Sequence, residues 1–472
     1  MKMFVGGEWR EKPQTIEVLN PYNGSVVDTV PRGDATDVDD AISAAQEGAR
    51  IMRAMSAYER ARILRRAGDL LEQRHEEFGR TISTEEGKIL AEGHVEATRA
   101  AEIFWLSAEE AKRLRSEVLP LDAAPGGAGK FGFTLRVPCG VVGAIAPFNF
   151  PLHLVAHKVG PALAAGNAVV LKPASDTPLS SLKLVSLLLE AGVPPLAVQC
   201  VTGSGREVGV PICADSRVRK ISFTGSYEVG EEICRTAGMK RVTMELGSNS
   251  PLVILDDTNL ERVAEATVAT GYANAGQVCI STQRVLADQK VYEDFLEILK
   301  PKVEALTTGD QLLDDTRMGP VVREVDAERI TASIRDAVDG GARLLTGGER
   351  SGTLVQPTLL ADVEPSMQIS RSELFGPAVA VSRFSDIEDA IRAANATEYG
   401  LSAGVFTQDI DRALRFADEV ESGNIHINWG PQYRVDLMPY GGLKNSGVGK
   451  EGPRYAVEEM TELKMVVVHR QS

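Results

Sequence analysis

The sequence predicts an α/β fold, and three observations lead to it. Short apolar runs alternate with helical stretches from Gly140 to about Asp257, and the alternation resumes from Pro251 to Asn428. That pattern is the mark of a mostly parallel sheet with helices on both faces. At 472 residues the chain is also too long for one core, so two or three domains are expected.

Composition bounds the function classes. The chain is 43% hydrophobic, as an ordinary globular protein is, and its formal net charge is −15. An acidic surface disfavours nucleic acid and anionic membrane as partners. The N-terminus, Met1-Lys2-Met3-Phe4-Val5-Gly6, carries no apolar core of a signal peptide. The longest apolar candidate, around Leu179–Leu189, is interrupted by Lys183 and falls short of a membrane span. The five cysteines, at 139, 200, 213, 234 and 279, are scattered and odd in number. Reduced thiols in a cytoplasmic protein fit them better than a disulfide framework.

Taken in order, residues 1–33 are turn-rich, with Pro21-Tyr22-Asn23-Gly24 as a hairpin turn. From Asp37 to about Arg115, apolar and Ala positions recur at three and four, which predicts helix. Residues 122–130 are rich in Gly, Ala and Pro and read as a loop or hairpin arm. Strands are expected at Val141–Ala146, Ala168–Leu171, Val198–Val201, Lys220–Phe223 and Val242–Leu246. Helices are expected between them at Leu152–Ala165, Leu179–Ala191, Arg206–Ala214 and Tyr227–Ala237. The last strand is Glu462–His469.

The motifs gather at strand ends, where open α/β sheets bind ligands. In Gly276-Gln277-Val278-Cys279-Ile280-Ser281, Cys279 follows a run of small residues and precedes an apolar strand. A thiolate there is a strong nucleophile; the alternative is a buried free cysteine. In Pro147-Phe148-Asn149-Phe150-Pro151 two prolines fix a turn that aims the Asn149 amide. That amide either stabilises an oxyanion or caps the next helix. Glu245, in Met244-Glu245-Leu246-Gly247, is either a satisfied buried carboxyl or a general base with a raised pKa.

Lys172-Pro173-Ala174-Ser175 places an ammonium and a hydroxyl after a strand, and Phe223-Thr224-Gly225-Ser226 forms a strand, a glycine turn and a helix start. Gly203-Ser204-Gly205 is a similar, weaker turn. Glu373-Leu374-Phe375-Gly376-Pro377 and the glycine-rich 439–447 stretch complete the set. His153 and His157 stand at helical i, i+4 spacing. With no third ligand in view they read as structural, and no metal is expected.

This ordered set, PFNFP, KPAS, FTGS, MELGS, GQVC, ELFGP and PYGGLKNSG, resembles the aldehyde dehydrogenase superfamily nearly end to end. The resemblance implies a Rossmann-like cofactor domain at 1–119 and 139–246 and an α/β catalytic domain at 247–455. It also implies a small β oligomerisation arm at 120–138 and 461–470, hence a homodimer or homotetramer. Cys279 matches the nucleophile, Asn149 with the Cys279 N–H the oxyanion hole, and Glu245 the base that activates water. Lys172, Ser175, Phe148, Gly225, Ser226, Leu246, Glu373 and Phe375 match the positions along NAD or NADP. The family often carries Glu where Ser175 stands. A serine beside Lys172 does not repel a 2′-phosphate, so NADP is expected to be accepted and NAD is not excluded. Ser248 replaces a usual glycine beside Glu245.

The Arg434-Val435-Asp436-Leu437-Met438-Pro439 stretch resembles that of members acting on lactaldehyde, glyceraldehyde-type or semialdehyde substrates. Arg434 and Arg99 are therefore candidate readers of an acid- or hydroxy-bearing aldehyde; the alternative is an Arg434–Asp436 ion pair and a solvated Arg99. Three functions follow: oxidation of an aldehyde to its acid, a CoA-acylating variant of it, and a non-catalytic structural protein on the same fold.

Overall fold

The computed structural model describes residues 1–470. The predicted helical stretch divides into four helices, α1 (Ala35–Ala54), α2 (Ala57–Gln73), α3 (His75–Glu86) and α4 (Leu90–Ala111). Periodicity alone does not show the breaks, but the caps do. Asp34 with Asp37, and Ser56 with Glu59, form reciprocal capping boxes at the starts of α1 and α2. Gly87, at φ 101°, ends α3 in the left-handed region.

An eight-stranded sheet follows the order Glu8–Arg10, Met3–Val5, Val198–Cys200, Ala168–Lys172, Val141–Ile145, Val218–Thr224, Arg241–Glu245 and Gly447–Val448. The five strands from Val198–Cys200 to Arg241–Glu245 are parallel, and their flanking partners pair antiparallel. Chain order reverses at Val141–Ile145, whose successors lie on one side while Val218–Thr224 lies on the other. The crevice beyond the carboxyl ends at such a switch point is where open sheets take ligands. Helix α5 (His153–Ala164), buried along its whole length, leaves the sheet from this point.

A second, seven-stranded sheet runs Arg343–Thr346, Thr358–Ala361, Ala378–Phe384, Arg284–Asp288, Pro251–Ile254, Ser402–Phe406 and Asn424–Ile427. It is parallel except for its first pair. The Val141–Ile145 and Ala168–Lys172 strands, like Pro251–Ile254, are buried at every position, which explains their continuous apolar runs. Strands Val118–Leu119, Lys130–Pro138 and Thr461–His469 form a third, antiparallel sheet.

One expected helix differs. Residues 206–214 begin as a π turn over Gly205–Gly209, with the Val210 N–H reaching back five residues to Gly205, before a short α-helix to Ala214. Pro211 has no N–H to donate to Glu207, so the ordinary i→i−4 ladder cannot run through this point.

Candidate active site

Cys279 is not at the edge of its strand. It lies in a turn five residues before Arg284–Asp288 and three residues after the end of a tight turn, Ala273–Gly276. Three consecutive residues there are left-handed: Asn274 (φ 50°), Ala275 (φ 51°) and Gly276 (φ 70°). Two are not glycine, so the surroundings must hold a strained backbone. At Gly276 a Cβ would stand 2.1 Å from the Gly376 carbonyl oxygen, so only glycine fits.

The Cys279 thiol has one side-chain partner, the Tyr440 hydroxyl, at 3.0 Å from Sγ. Burial pushes the thiol up to about 12, although the Tyr440 hydrogen bond pulls the other way. The resting nucleophile is therefore the neutral thiol, and Tyr440 is the group placed to donate to the thiolate once it forms. Tyr440 lies within the glycine-rich motif but carried no role in the sequence reading. The Arg434 guanidinium stacks on its ring, 3.9 Å from the centroid.

Asn149 does not cap α5, whose N-terminus has no side-chain cap of that kind. Its Nδ2 donates instead to the Gln277 carbonyl oxygen at 2.8 Å, two residues before the nucleophile. One amide N–H is thereby anchored and the second remains for a ligand. The Cys279 backbone N–H has no partner among the described residues. Two donors on two different loops are thus available for an oxyanion.

Glu245 ends the Arg241–Glu245 strand, and both its carboxyl oxygens are buried without a hydrogen-bond partner. A structural carboxyl would be satisfied; this one is not. Burial, reinforced by Glu451, raises its pKa well above the usual value against the pull of Arg434, Lys158 and Lys450. The Gly441 backbone packs against it, since a Cβ there would lie 2.6 Å from Oε1. Glu451 keeps the charge of the pair. Its oxygens accept from Lys158 Nζ at 2.9 Å and from Arg434 Nη1 and Nη2 at 3.3 Å. Burial opposes that charge, but Lys158 and Arg434 outweigh it and bring Glu451 down to about 2.

The two substrate candidates meet at Asp436. Its Oδ1 accepts from Arg99 Nη2 at 2.9 Å and lies 3.0 and 3.1 Å from the Nε2 atoms of His153 and His157. Burial brings these imidazoles down to about 4 and about 3, so they are neutral at ordinary pH; His153 donates to the carboxylate, and His157 Nε2 lies between that carboxylate and Arg434 Nη2, which is 2.8 Å away. The sequence offered the histidine pair no third partner. The fold supplies Asp436, the three ligand atoms lying within 4.8 Å of one another. Two guanidiniums beside the same carboxylate supply the positive charge it needs. Arg99 is therefore not a free solvated charge, and Glu96, three residues before it, points inward to Lys88. Arg434 lies 2.8 Å from His157 Nε2 and 3.3 Å from Glu451, with Asp436 at 3.8 Å.

The expected cofactor positions line the crevice unevenly. Lys172 ends its strand buried, with its ammonium brought down to about 8 by burial and with no carboxylate in ion-pair range among the described residues. Ser175 Oγ donates to the Gly203 carbonyl at 3.0 Å, which joins the KPAS turn to Gly203-Ser204-Gly205. Phe148 and Phe375 meet edge to face, with ring centroids 5.8 Å apart. Glu373 is pushed up to about 7 by burial; its Oε1 accepts the Ser248 N–H at 2.9 Å, leaving Oε2 open.

Gly225 also serves the packing of its own turn. Its N–H is already bound to the Glu245 carbonyl at 3.0 Å, and its missing Cβ makes room for the Phe223 ring. The free donor of that turn is Ser226, the exposed N-cap of the Tyr227–Ala237 helix. Leu246 is buried, packed on Gly230 of that helix. Ser248 bonds Ser250 at 2.9 Å between hydroxyls and does not touch Glu245. An unpaired ammonium, an open carboxylate oxygen, two ring edges and a helix N-cap suit a nucleotide with a ribose and phosphates.

Comparison with known proteins agrees with this chemistry. Residues 9–466 match the model of the aldehyde dehydrogenase family. A 3-sulfolactaldehyde dehydrogenase of Priestia aryabhattai is 44% identical over 99% of this chain and 98% of its own length. A lactaldehyde dehydrogenase of Methanococcus aeolicus is 38% identical over 99% and 100%. Among solved structures, the NADP-dependent glyceraldehyde-3-phosphate dehydrogenase from Bacillus halodurans, complexed with NADP, superposes with a TM-score of 0.97. It is 37% identical, with 99% of each chain covered.

Proposed function

The chain belongs to the aldehyde dehydrogenase family, and from that premise we propose that it oxidises a small hydroxy- or acid-bearing aldehyde to the free carboxylic acid. One observation carries the reading: a buried Glu245 carboxyl with no partner of its own, in the same enclosure as the Cys279 thiol.

The steps follow from the residues. Cys279 gives its proton to water, Tyr440 donates to the resulting thiolate, and sulfur bonds to the aldehyde carbon. The carbonyl oxygen gains the charge and is held by the Asn149 amide and the Cys279 N–H. A bound nicotinamide would supply the acceptor for the hydride of this carbon. A thioester on Cys279 results. Glu245, once it has released its own proton to solvent, takes one from water; the hydroxyl oxygen bonds to the thioester carbon, the carbon–sulfur bond breaks, and Glu245 passes that proton to the Cys279 thiolate as the acid leaves. Water is thus activated by a residue of this chain, which favours hydrolysis over transfer to CoA. The intact set of thiol, base and oxyanion donors argues against a purely structural role.

For the cofactor, Lys172, Ser175, Glu373, Phe148 and Phe375 are the residues that would hold it. Ser175 presents no carboxylate to a 2′-phosphate, so NADP is accepted alongside NAD. For the substrate, Arg99 and Arg434 read its distal anion or hydroxyl, Arg99 from the more open side. The Priestia and Methanococcus relatives, named for small hydroxyaldehydes, support that choice.

We further assign 1–119 and 139–246 to cofactor binding and 247–455 to catalysis, the latter returning the Gly447–Val448 strand to the first sheet. The arm at 120–138 and 461–470 pairs with a second copy, because its outer strand exposes Leu463, Met465, Val467 and Val468. All five cysteines are free, which fits a reducing, cytoplasmic compartment. No helix among the described residues is long and apolar enough to cross a membrane.

A panel of lactaldehyde, sulfolactaldehyde, succinic semialdehyde and an apolar aldehyde of equal length, run with NAD and with NADP and without CoA, tests the proposal. Reduced cofactor and free acid should form without CoA, fastest with the anionic or hydroxylated substrates. Arg99→Gln should raise KM for the anionic substrate alone. No product without CoA, or no preference across the panel, would refute it.

A further inference from the structure

One cluster of buried charges outside the reacting groups converges on Asn149. Lys88, between α3 and α4, is 1% exposed. Its ammonium donates to Glu96 Oε2 at 2.7 Å and to the Asn149 main-chain oxygen at 2.6 Å, and lies 3.9 Å above the Phe150 ring. Its three N–H bonds thus meet a carboxylate, a carbonyl and an aromatic face. Glu96 turns its other oxygen to the N–H groups of Leu152 and His153, at 2.9 and 3.1 Å. A carboxylate on α4 therefore holds the start of α5, and the lysine it anchors holds the turn before it.

A second tie reaches the same carbonyl. Asn274 Nδ2 lies 3.2 Å from the Asn149 oxygen and 2.9 Å from Glu86 Oε1. The Asn274 backbone is fixed in its left-handed conformation by Glu92 Oε1, which accepts its N–H at 3.1 Å. Asn149 is consequently gripped at both ends, its main-chain oxygen by Lys88 and Asn274 and its side-chain amide by Gln277.

Resting on the proposed oxyanion role of Asn149, we propose that Lys88 is a positioning residue that fixes the Asn149 main chain so that its amide is held for the reacting carbonyl oxygen. The physical case is one of purpose. A buried lysine–glutamate pair adds little net stability, because desolvation offsets its attraction. What it does supply is a short charge-assisted bond to a chosen carbonyl. A turn with two prolines and no helical ladder needs such an anchor, since oxyanion donors must be held to about half an ångström.

The test uses the full-length protein and an activated ester, p-nitrophenyl acetate. Cys279 attacks the ester, p-nitrophenolate leaves, and an acetyl thioester remains, with no cofactor required. Attack passes through an oxyanion, whereas alkylation of the same thiol by iodoacetamide does not. Lys88→Met is combined with Glu96→Gln so that the Glu96 carboxylate is not left without its partner. Asn274→Gly, which tolerates positive φ, removes the second tie without disturbing charge.

In Lys88→Met/Glu96→Gln the p-nitrophenolate burst should slow about 10- to 100-fold, within the range for a misplaced oxyanion donor. The alkylation rate should stay within about twofold, and kcat for the aldehyde should fall more than KM rises. Asn274→Gly should slow the burst in the same sense and less. Placed on Asn149→Ala, neither change should add its loss, because both act through that amide.

Losses that add in full to Asn149→Ala, a parallel fall in alkylation, or an unchanged burst overturns the proposal. Should the double variant not fold, Lys88→Arg, which keeps the charge but not the single-point geometry of the two bonds, decides by the same criteria. An unchanged burst in Asn149→Ala would instead overturn the oxyanion reading beneath it.

Discussion

Replacing Glu245 by Gln separates the two halves of the reaction and exposes a stability term at the same time. Gln fills the same volume but cannot take a proton from water. Hydride transfer precedes that step, so the variant should release one equivalent of reduced cofactor per site and then stall as the thioester. The steady rate should fall by about two to four orders of magnitude, the usual contribution of a positioned base. Stopped-flow absorbance of the reduced cofactor, with mass detection of the acyl-enzyme, reads both.

The stability effect has a definite sign. Glu245 is raised above its ordinary 4.5 by burial and then by Glu451, so the folded protein keeps a proton that the unfolded chain has released above that pH. Between the two values the wild-type protein loses about 1.4 kcal/mol of stability per pH unit. Gln carries no such proton, and the variant does not share that loss. With an unfolding entropy of about 1 kcal/mol/K for a chain of this length, its Tm should gain about 1.4 °C on wild type per pH unit upward from pH 5. Thermal melts from pH 5 to pH 8 check this. Undiminished turnover would remove Glu245 as the base, and a Tm difference flat with pH would mean that the carboxyl is not held protonated.

Three further outcomes are expected. Cys279→Ala should abolish aldehyde oxidation in the reduced-cofactor assay, since no other group can form the thiohemiacetal; a retained rate would disprove the mechanism. Tyr440→Phe removes the hydrogen bond at 3.0 Å that favours the thiolate, so iodoacetamide should alkylate Cys279 about tenfold more slowly at fixed pH. An equal or faster rate would mean that the hydroxyl only accepts from the thiol. Ser175→Glu places a carboxylate after the Lys172 turn and should lower kcat/KM for NADP more than for NAD; an unchanged ratio of the two would place the 2′-phosphate elsewhere.

What could be read from the sequence, and what could not, divides by the range of the interaction. Strands such as Val141–Ile145 and Ala168–Lys172 announce themselves because both faces are buried and every position is apolar. Cys279, Asn149 and Glu245 stand out because glycine or proline punctuation places each beside a strand. Lys88 and Glu96 gave no such sign. In a helical stretch dense with Glu, Arg and Lys they look like solvated charge, and only the Asn149 turn, far along the chain, draws them inside. Asp436 joins the histidine pair from across the molecule for the same reason. Gly225 has a second use that the sequence does not show: the Phe223 ring takes the space a Cβ would fill. Tyr440 was in plain view inside a glycine-rich motif, where the glycines drew attention to the backbone and away from the hydroxyl.

The contact between Gly276 and Gly376 also bears on how this enzyme can be altered. The loop that presents the thiol and the turn that carries Glu373 and Phe375 touch backbone to backbone, with no side chain between them to yield. A library that diversifies residues 373–377 to change nucleotide preference would therefore re-aim the nucleophile in most of its members and score as dead protein. Diversity at Ser175 and around Gly203–Arg206 avoids that coupling, because the Ser175–Gly203 bond joins those two turns to each other and not to the Cys279 loop. Cofactor engineering has a mutable rim on one side of the crevice and a fixed hinge on the other.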